Sequence, residues 1–315
     1  MAFDAELARR QLQYVYSQAY MDIIERLART PDKAMATYER QLAIHLEEVL
    51  ARLDSQSRRF AERAIPQMYQ QAINETTVYW RGQGLQPPAL RPGFARVHEQ
   101  AVKVLAENFY DNMSDAHRFV GRRTKDAWRR IQLDTMLEKV STARRFDVAH
   151  ERFMSRVVQD GLGAFRDKAG RIWRLDSYAE MSVRTVTRES TNVGTINQLK
   201  GMNRKLVAIS SHFGACEICA PLEGRVYSID GNDTRFPPLS EAFGAFNTVH
   251  PNCKHVLVPY VEELDDSPSD TQEKSNRPFD DDPRTQAEKE AYEESQRLSA
   301  QRREARREKE EGFAS

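Results

Sequence analysis

Cys216-Glu217-Ile218-Cys219 and His250-Pro251-Asn252-Cys253 are the two strings that most narrow what this chain of 315 residues can fold into. They hold all three cysteines, and the window from His212 to His255 holds three of the seven histidines. A Cys-x-x-Cys followed about thirty residues later by a His-x-x-Cys is the spacing with which two tight turns present four donors to one tetrahedral zinc ion. The expected ligands are Cys216, Cys219, His250 and Cys253. His250 is preferred because its gap to Cys253 mirrors the gap of the first pair. If the closing segment is extended instead, Cys253 and His255 share a face, which keeps His255 as an alternative fourth ligand. His212 is the other alternative. A full shell leaves no position for substrate, so the ion would staple the fold rather than catalyse. The competing reading takes the cysteines as small core residues or as a redox pair.

The surrounding residues carry a resemblance. Cys-x-x-Cys-x-x-Leu-x-Gly-x-Val-Tyr from Cys216, then Pro237-Pro238-Leu239, then His250-Pro251-Asn252-Cys253-Lys254-His255-Val256-Leu257-Val258-Pro259-Tyr260 resembles the phage minor capsid protein 2 branch of the Mu F-like head morphogenesis group of tailed bacteriophages. Tyr178, Met181, Arg184, Thr185, Arg188 and Glu189 look like the helix that precedes the Cys/His module there. The resemblance covers about residues 160–262. It implies a virion protein that is not an enzyme, has the phage portal and capsid proteins as partners, and is found in the host cytoplasm during assembly.

Composition sets the frame around that module. Charged residues make up 30% of the chain and mean hydropathy is −0.71, which favours long, solvated helices. No stretch approaches the ~20 apolar residues of a membrane span, and Met1-Ala2-Phe3-Asp4 lacks the basic and apolar regions of a signal peptide. A reducing compartment is therefore expected, where paired thiols more often bind metal than form disulfides. From Val261 to Ser315 the chain carries 17 acidic and 10 basic residues, so the tail is near −7 and, with zero net charge overall, the body is near +7.

Residues 1–160 read as a helical domain. Asp4 caps a helix carrying Leu12, Tyr16 and Ile23; Thr30-Pro31 starts a second with Leu42, Leu46, Val49 and Leu53; a third begins near Asp54-Ser55 and is interrupted by Pro66. Arg81 to Pro88 is a Gly/Pro break, and Ser114 or Asp115 is expected to cap a further helix. The segment 117–156 is rich in arginine and lysine, among them Arg118, Arg122 and Lys125, and offers a surface for phage DNA phosphates, although interleaved acids also fit an ordinary solvated face.

Residues 161–262 read as a hairpin turning at Lys168 to Gly170 after Gly161 and Gly163, then a helix from Asp176 or Ser177 to Gly201, then short strands at Lys205–Ser210, Arg225–Ile229 and His255–Tyr260. On that helix Arg184, Thr185, Arg188, Glu189 and Asn192 recur on one polar face, expected to be exposed or salt-bridged. Residues 263–315 form a charged tail, disordered up to Pro283 and helical from Gln286. The fold class is α+β: a long helical front, a small β-rich Cys/His module and a disordered charged tail. Two other functions compete with the virion reading. One is a zinc-containing nuclease or toxin-like enzyme with His212 or His255 as base; the other is a nucleic-acid adaptor reading through the zinc module.

Overall fold

A computed structural model describes residues 3–28, 35–141, 164–166, 172–244, 247–278 and 282–311. The Thr30-Pro31 helix start, the glycines at 161 and 163 and the hairpin turn at 168–170 lie outside them. The elements run α1 (Ala5–Ala28), α2 (Met35–Arg59), α3 (Ile65–Gly82), α4 (Phe94–Ser141), β1 (Ala164–Arg166), β2 (Ile172–Arg174), α5 (Leu175–Gly201), β3 (Leu206–Ile209), β4 (Val226–Ser228), α6 (Leu239–Ala242), β5 (Leu257–Pro259), α7 (Pro268–Asn276) and α8 (Gln286–Glu311). Helix dominates and the strands are short, which is the α+β class.

The chain groups into two compact units, each drawn from separated stretches. One comprises Met1–Arg9, Ala61–Phe109 and Met181–Arg297; the other comprises Arg10–Phe60, Tyr110–Glu180 and Leu298–Ser315.

Two helix boundaries differ from expectation. Asp54 and Ser55 do not start a helix: α2 runs to Arg59 and passes through a π turn, Phe60–Ala64, into α3. Pro66 sits in the first turn of α3, where its missing N–H has no partner to lose, and the wider π turn takes up the break. Ser114 and Asp115 likewise do not cap a helix. No proline or glycine stands near them, and the buried stripe Leu105, Phe109, Met113, Ala116 and Val120 continues past them, so α4 is unbroken over 48 residues. Asp4 does cap α1, its Oδ1 accepting from Leu7 N at 2.9 Å.

In the second unit the core contains a polar line. Buried Tyr16 Oη lies 2.5 Å from Ser57 Oγ and 2.6 Å from His117 Nε2, with Asp54 3.6 Å from His117 Nδ1. The ring of His117 stacks on Tyr16. Tyr16, Ser57 and His117 are all buried, so the two hydroxyls and His117 Nε2 satisfy one another, while His117 Nδ1 makes no hydrogen bond.

The first unit holds the antiparallel sheet, ordered β4-β3-β5. β3 is central, pairing Val207 with Tyr227 on one side and with Pro259 on the other. One face packs Val207, Ile209, Tyr227 and Leu257 against Trp80 of α3 and Leu199 of α5. α5 and α3 approach closely at Gly194, where a Cβ would stand 3.0 Å from Tyr69 O. Both sheet edges are closed by helix side chains: Val226 N on β4 donates to Ser275 Oγ of α7 at 2.9 Å, and Leu257 N on β5 donates to Asn192 Oδ1 of α5 at 2.9 Å.

The tail is more ordered than its composition suggests over part of its length. Beyond Ser275, buried Arg225 donates to the carbonyls of Arg277 and Pro278, and α7 lies along β4. Thr285 and Glu288 form a reciprocal capping box at the start of α8.

His117 gives the second unit a pH dependence. Burial holds its imidazole down to about 4, against the opposing pull of Asp54. The unfolded chain takes up this proton near pH 6.5. The contribution is therefore complete above that pH and is lost as pH falls toward 4, by roughly 3 kcal/mol at most. Denaturant unfolding across pH 4–7 should show this slope, and His117→Gln should flatten it.

Candidate metal centre

Both Cys/His turns are set by local backbone chemistry. After β3 the chain passes Gly214, held at a φ of 75°, into the first turn, where Cys219 N and Ala220 N donate to Cys216 O at 3.1 and 2.9 Å. In the second turn Cys253 N donates to His250 O at 3.1 Å, with Asn252 in the left-handed region at a φ of 66°. Each x-x gap is closed by the same i to i+3 bond, so both donor pairs face inward from matching turns.

The second turn rests on the polar face of α5. Asn252 N donates to Thr185 Oγ1 at 3.3 Å, and Asn192 Nδ2 donates to Asn247 O at 2.8 Å. With its Oδ1 on Leu257 N, fully buried Asn192 ties both ends of the segment 247–257. Asn247 Nδ2 reaches Glu189 Oε1 at 3.5 Å, and burial raises the Glu189 carboxyl to about 7. The expectation of an exposed or salt-bridged face is therefore corrected for Thr185 and Asn192, which are buried beneath the Cys/His turn. Periodicity located the face but not what lies on it.

The donors converge on Cys219. His250 Nε2 lies 3.3 Å from Cys216 Sγ and 3.1 Å from Cys219 Sγ, and Cys219 Sγ lies 3.7 Å from Cys253 Sγ. His250 Nδ1 donates to Pro251 O at 2.7 Å, which turns Nε2 toward the sulfurs. Cys216, Cys219 and His250 hold their donor atoms within 4.8 Å of one another, and so do Cys219, Cys253 and His255. His212 approaches none of the cysteines in this way; it groups with Glu223 and His255.

Part of this donor set fits zinc: no group within 4.8 Å joins all four expected ligands, and Cys253 falls with Cys219 and His255 rather than with Cys216 and His250. Zinc–sulfur bonds of about 2.3 Å and zinc–nitrogen bonds of about 2.0 Å give tetrahedral edges of about 3.8 Å between sulfurs and about 3.5 Å from sulfur to nitrogen. The observed contacts of 3.7, 3.3 and 3.1 Å fall at or just inside those lengths. Cys219 and Cys253 are 1% and 2% exposed. The thiols strain one another electrostatically. Hydrogen bonding to Cys219, then to His250, draws Cys216 down to about 3, and the Cys219 contact draws Cys253 down to about 4. The same two neighbours push Cys219 well up, while Cys216 raises His250 to about 9. A divalent cation among them would let all three sulfurs ionise together.

Elsewhere, the basic segment expected at 117–156 is only partly described. His117 is buried, Arg118 lies 3.7 Å from Asp115, and Lys125 lies 2.7 Å from Glu47. Arg122 is exposed, and the side chains from 127 onward lie outside those described.

A long helical chain with a small sheet that carries paired Cys/His turns defines a class of compact α+β modules built on a local donor cluster. Comparison places it more narrowly: the family model described as phage minor capsid protein 2 matches residues 5–315, and the chain belongs to that family. A structural protein of Lactococcus phage LL-H is 33% identical over 103 residues, amounting to 30% of this chain and 28% of that protein. The match thus spans well under two thirds of the relative's length. No solved structure matches. Among the described residues, no helix is long and apolar enough to cross a membrane.

Sequence reasoning missed Asn192 as a support and Glu223 altogether, because both act through partners far away in the chain. If Asn192 seats the second turn, Asn192→Ala leaves Asn247 O and Leu257 N buried without partners and should lower unfolding stability by about 2–4 kcal/mol. Chemical denaturation would measure this, and Asn192→Asp, which keeps the acceptor for Leu257, should lose less.

Proposed function

We propose that this chain is a structural component of the phage head, and that a zinc ion held by Cys216, Cys219, His250 and Cys253 staples its C-terminal module. The observation that carries the virion role is the family match across nearly the whole chain. Within the proposal the chain associates with the portal and with capsid proteins and acts as a scaffold rather than a catalyst. The ion's part is folding. The sheet has three strands of three or four residues, and a four-donor closure joins the two long loops that leave it. When bound, zinc would supply four fixed bonds and no open coordination position.

The proposal extends to packaged DNA through the basic segment 117–156, in which Arg122 is a described, exposed cation. Binding to duplex DNA that weakens steeply with salt is the result expected there.

Metal content of protein purified without added metal, measured by elemental mass spectrometry, tests the staple. One zinc per chain is expected in the wild type, with loss in Cys216→Ser, Cys253→Ser and His250→Ala. A wild type without metal overturns the staple and leaves the family assignment intact. Co-expression with the portal protein of the same phage tests the assembly role: the two should co-purify, and consistent failure to do so argues against portal association.

A further inference from the structure

Glu223 lies outside both ligand turns, yet one of its oxygens joins three parts of the module. Glu223 Oε1 accepts from His212 N at 2.8 Å and lies 2.6 Å from His255 Nε2. His212 follows β3, Glu223 follows the first turn, and His255 follows the second. The carboxylate therefore bridges the segments that carry all the donors. Its own backbone position is fixed by the short 3-10 turn Ala220–Leu222, with Glu223 N donating to Ala220 O at 3.3 Å.

The contact to His255 has a directional consequence. Only 2% exposed, His255 is held at Nε2 by Glu223, and its ring stacks on His212 with centroids 4.3 Å apart. Its other nitrogen, Nδ1, then faces Cys253 Sγ at 3.5 Å. The two histidines near the cysteines are thus unequal. His250 addresses two sulfurs at 3.3 and 3.1 Å, whereas His255 comes within 3.5 Å of Cys253 and, among the described residues, lies farther from Cys219, though still within 4.8 Å of it.

We infer that Glu223 and His255 form a carboxylate–histidine pair that braces Cys253 from outside the ligand shell, which makes Glu223 a positioning residue of the metal site. The inference rests on the zinc reading above. Three thiolates around a dication leave one net negative charge. With Nε2–H donated to the Glu223 carboxylate, the ring supports the Cys253 sulfur by carrying a second proton on Nδ1, so the pair presents a cationic N–H to the thiolate from outside the shell. Removing such support typically weakens binding 10–100-fold without removing a ligand.

The experiment is a chelator competition for zinc on the full chain, with cobalt uptake followed by its thiolate absorption, in wild type, Glu223→Ala, Glu223→Gln, His255→Ala and the Glu223→Ala/His255→Ala double variant. The expected result is one metal per chain in every variant and unchanged thiolate absorption intensity. Affinity should be about 10–100-fold lower in the alanine variants and reduced less in Glu223→Gln, which keeps an acceptor oxygen. Because the pair acts as a unit, the double variant should bind about as weakly as the weaker single. Wild-type affinity in Glu223→Ala, additive losses in the double variant, or loss of the metal in His255→Ala as in His250→Ala would each overturn the inference and leave the zinc reading standing. A wild type that takes up no metal overturns both.

Discussion

β3 is four residues long, and its hydrogen bonds to β4 and β5 decide whether the cysteines meet at all. After β3 the chain passes through residues 210–215 into the Cys216–Cys219 turn and returns as β4. The second turn runs directly into β5, on the other side of β3. Slipping either ladder by one residue would turn every side chain of that strand to the opposite face. Trp80 and Leu199 would then lose Tyr227 or Leu257 from the core, and the two turns would move out of reach of each other. Sheet register and donor geometry are therefore one constraint, and the apolar packing beneath the sheet holds both.

Above that constraint the module relies on polar groups that bridge distant segments. Asn192 fastens the ends of the second loop, Ser275 fastens β4, and Glu223 fastens the segments around both turns. Each is buried or nearly so, and each satisfies backbone or ring donors that would otherwise be stranded away from water. Such contacts specify one arrangement more sharply than apolar burial does, because a displaced amide or carboxylate loses its partner outright.

The parts of this architecture that were legible in the sequence are the local ones. Cys216-x-x-Cys219 and His250-x-x-Cys253 declare their turns because an i to i+3 bond needs no distant partner. The three strands show in short β-branched runs. Ser and Asp signals misled at Asp54 and Ser114, since the same residues that cap helices also sit inside them when the apolar stripe continues. The tail misled differently: α7 has almost no apolar content, yet Ser275 and the carbonyls of Arg277 and Pro278 anchor it through hydrogen bonds that no count of apolar residues registers. Glu223 was invisible for a related reason, because a lone carboxylate in a loop acquires meaning only from His212 and His255 across the fold.

The sealing of both sheet edges bears on crowding. A small sheet with a bare edge recruits further strands, and it does so most readily where many copies are confined together, as on an assembling particle surface. Ser275 at one margin, and Asn192 and Pro259 at the other, leave this sheet with little invitation to lengthen. A sheet with its margins occupied in this way adds strands less readily when copies of the chain are crowded together.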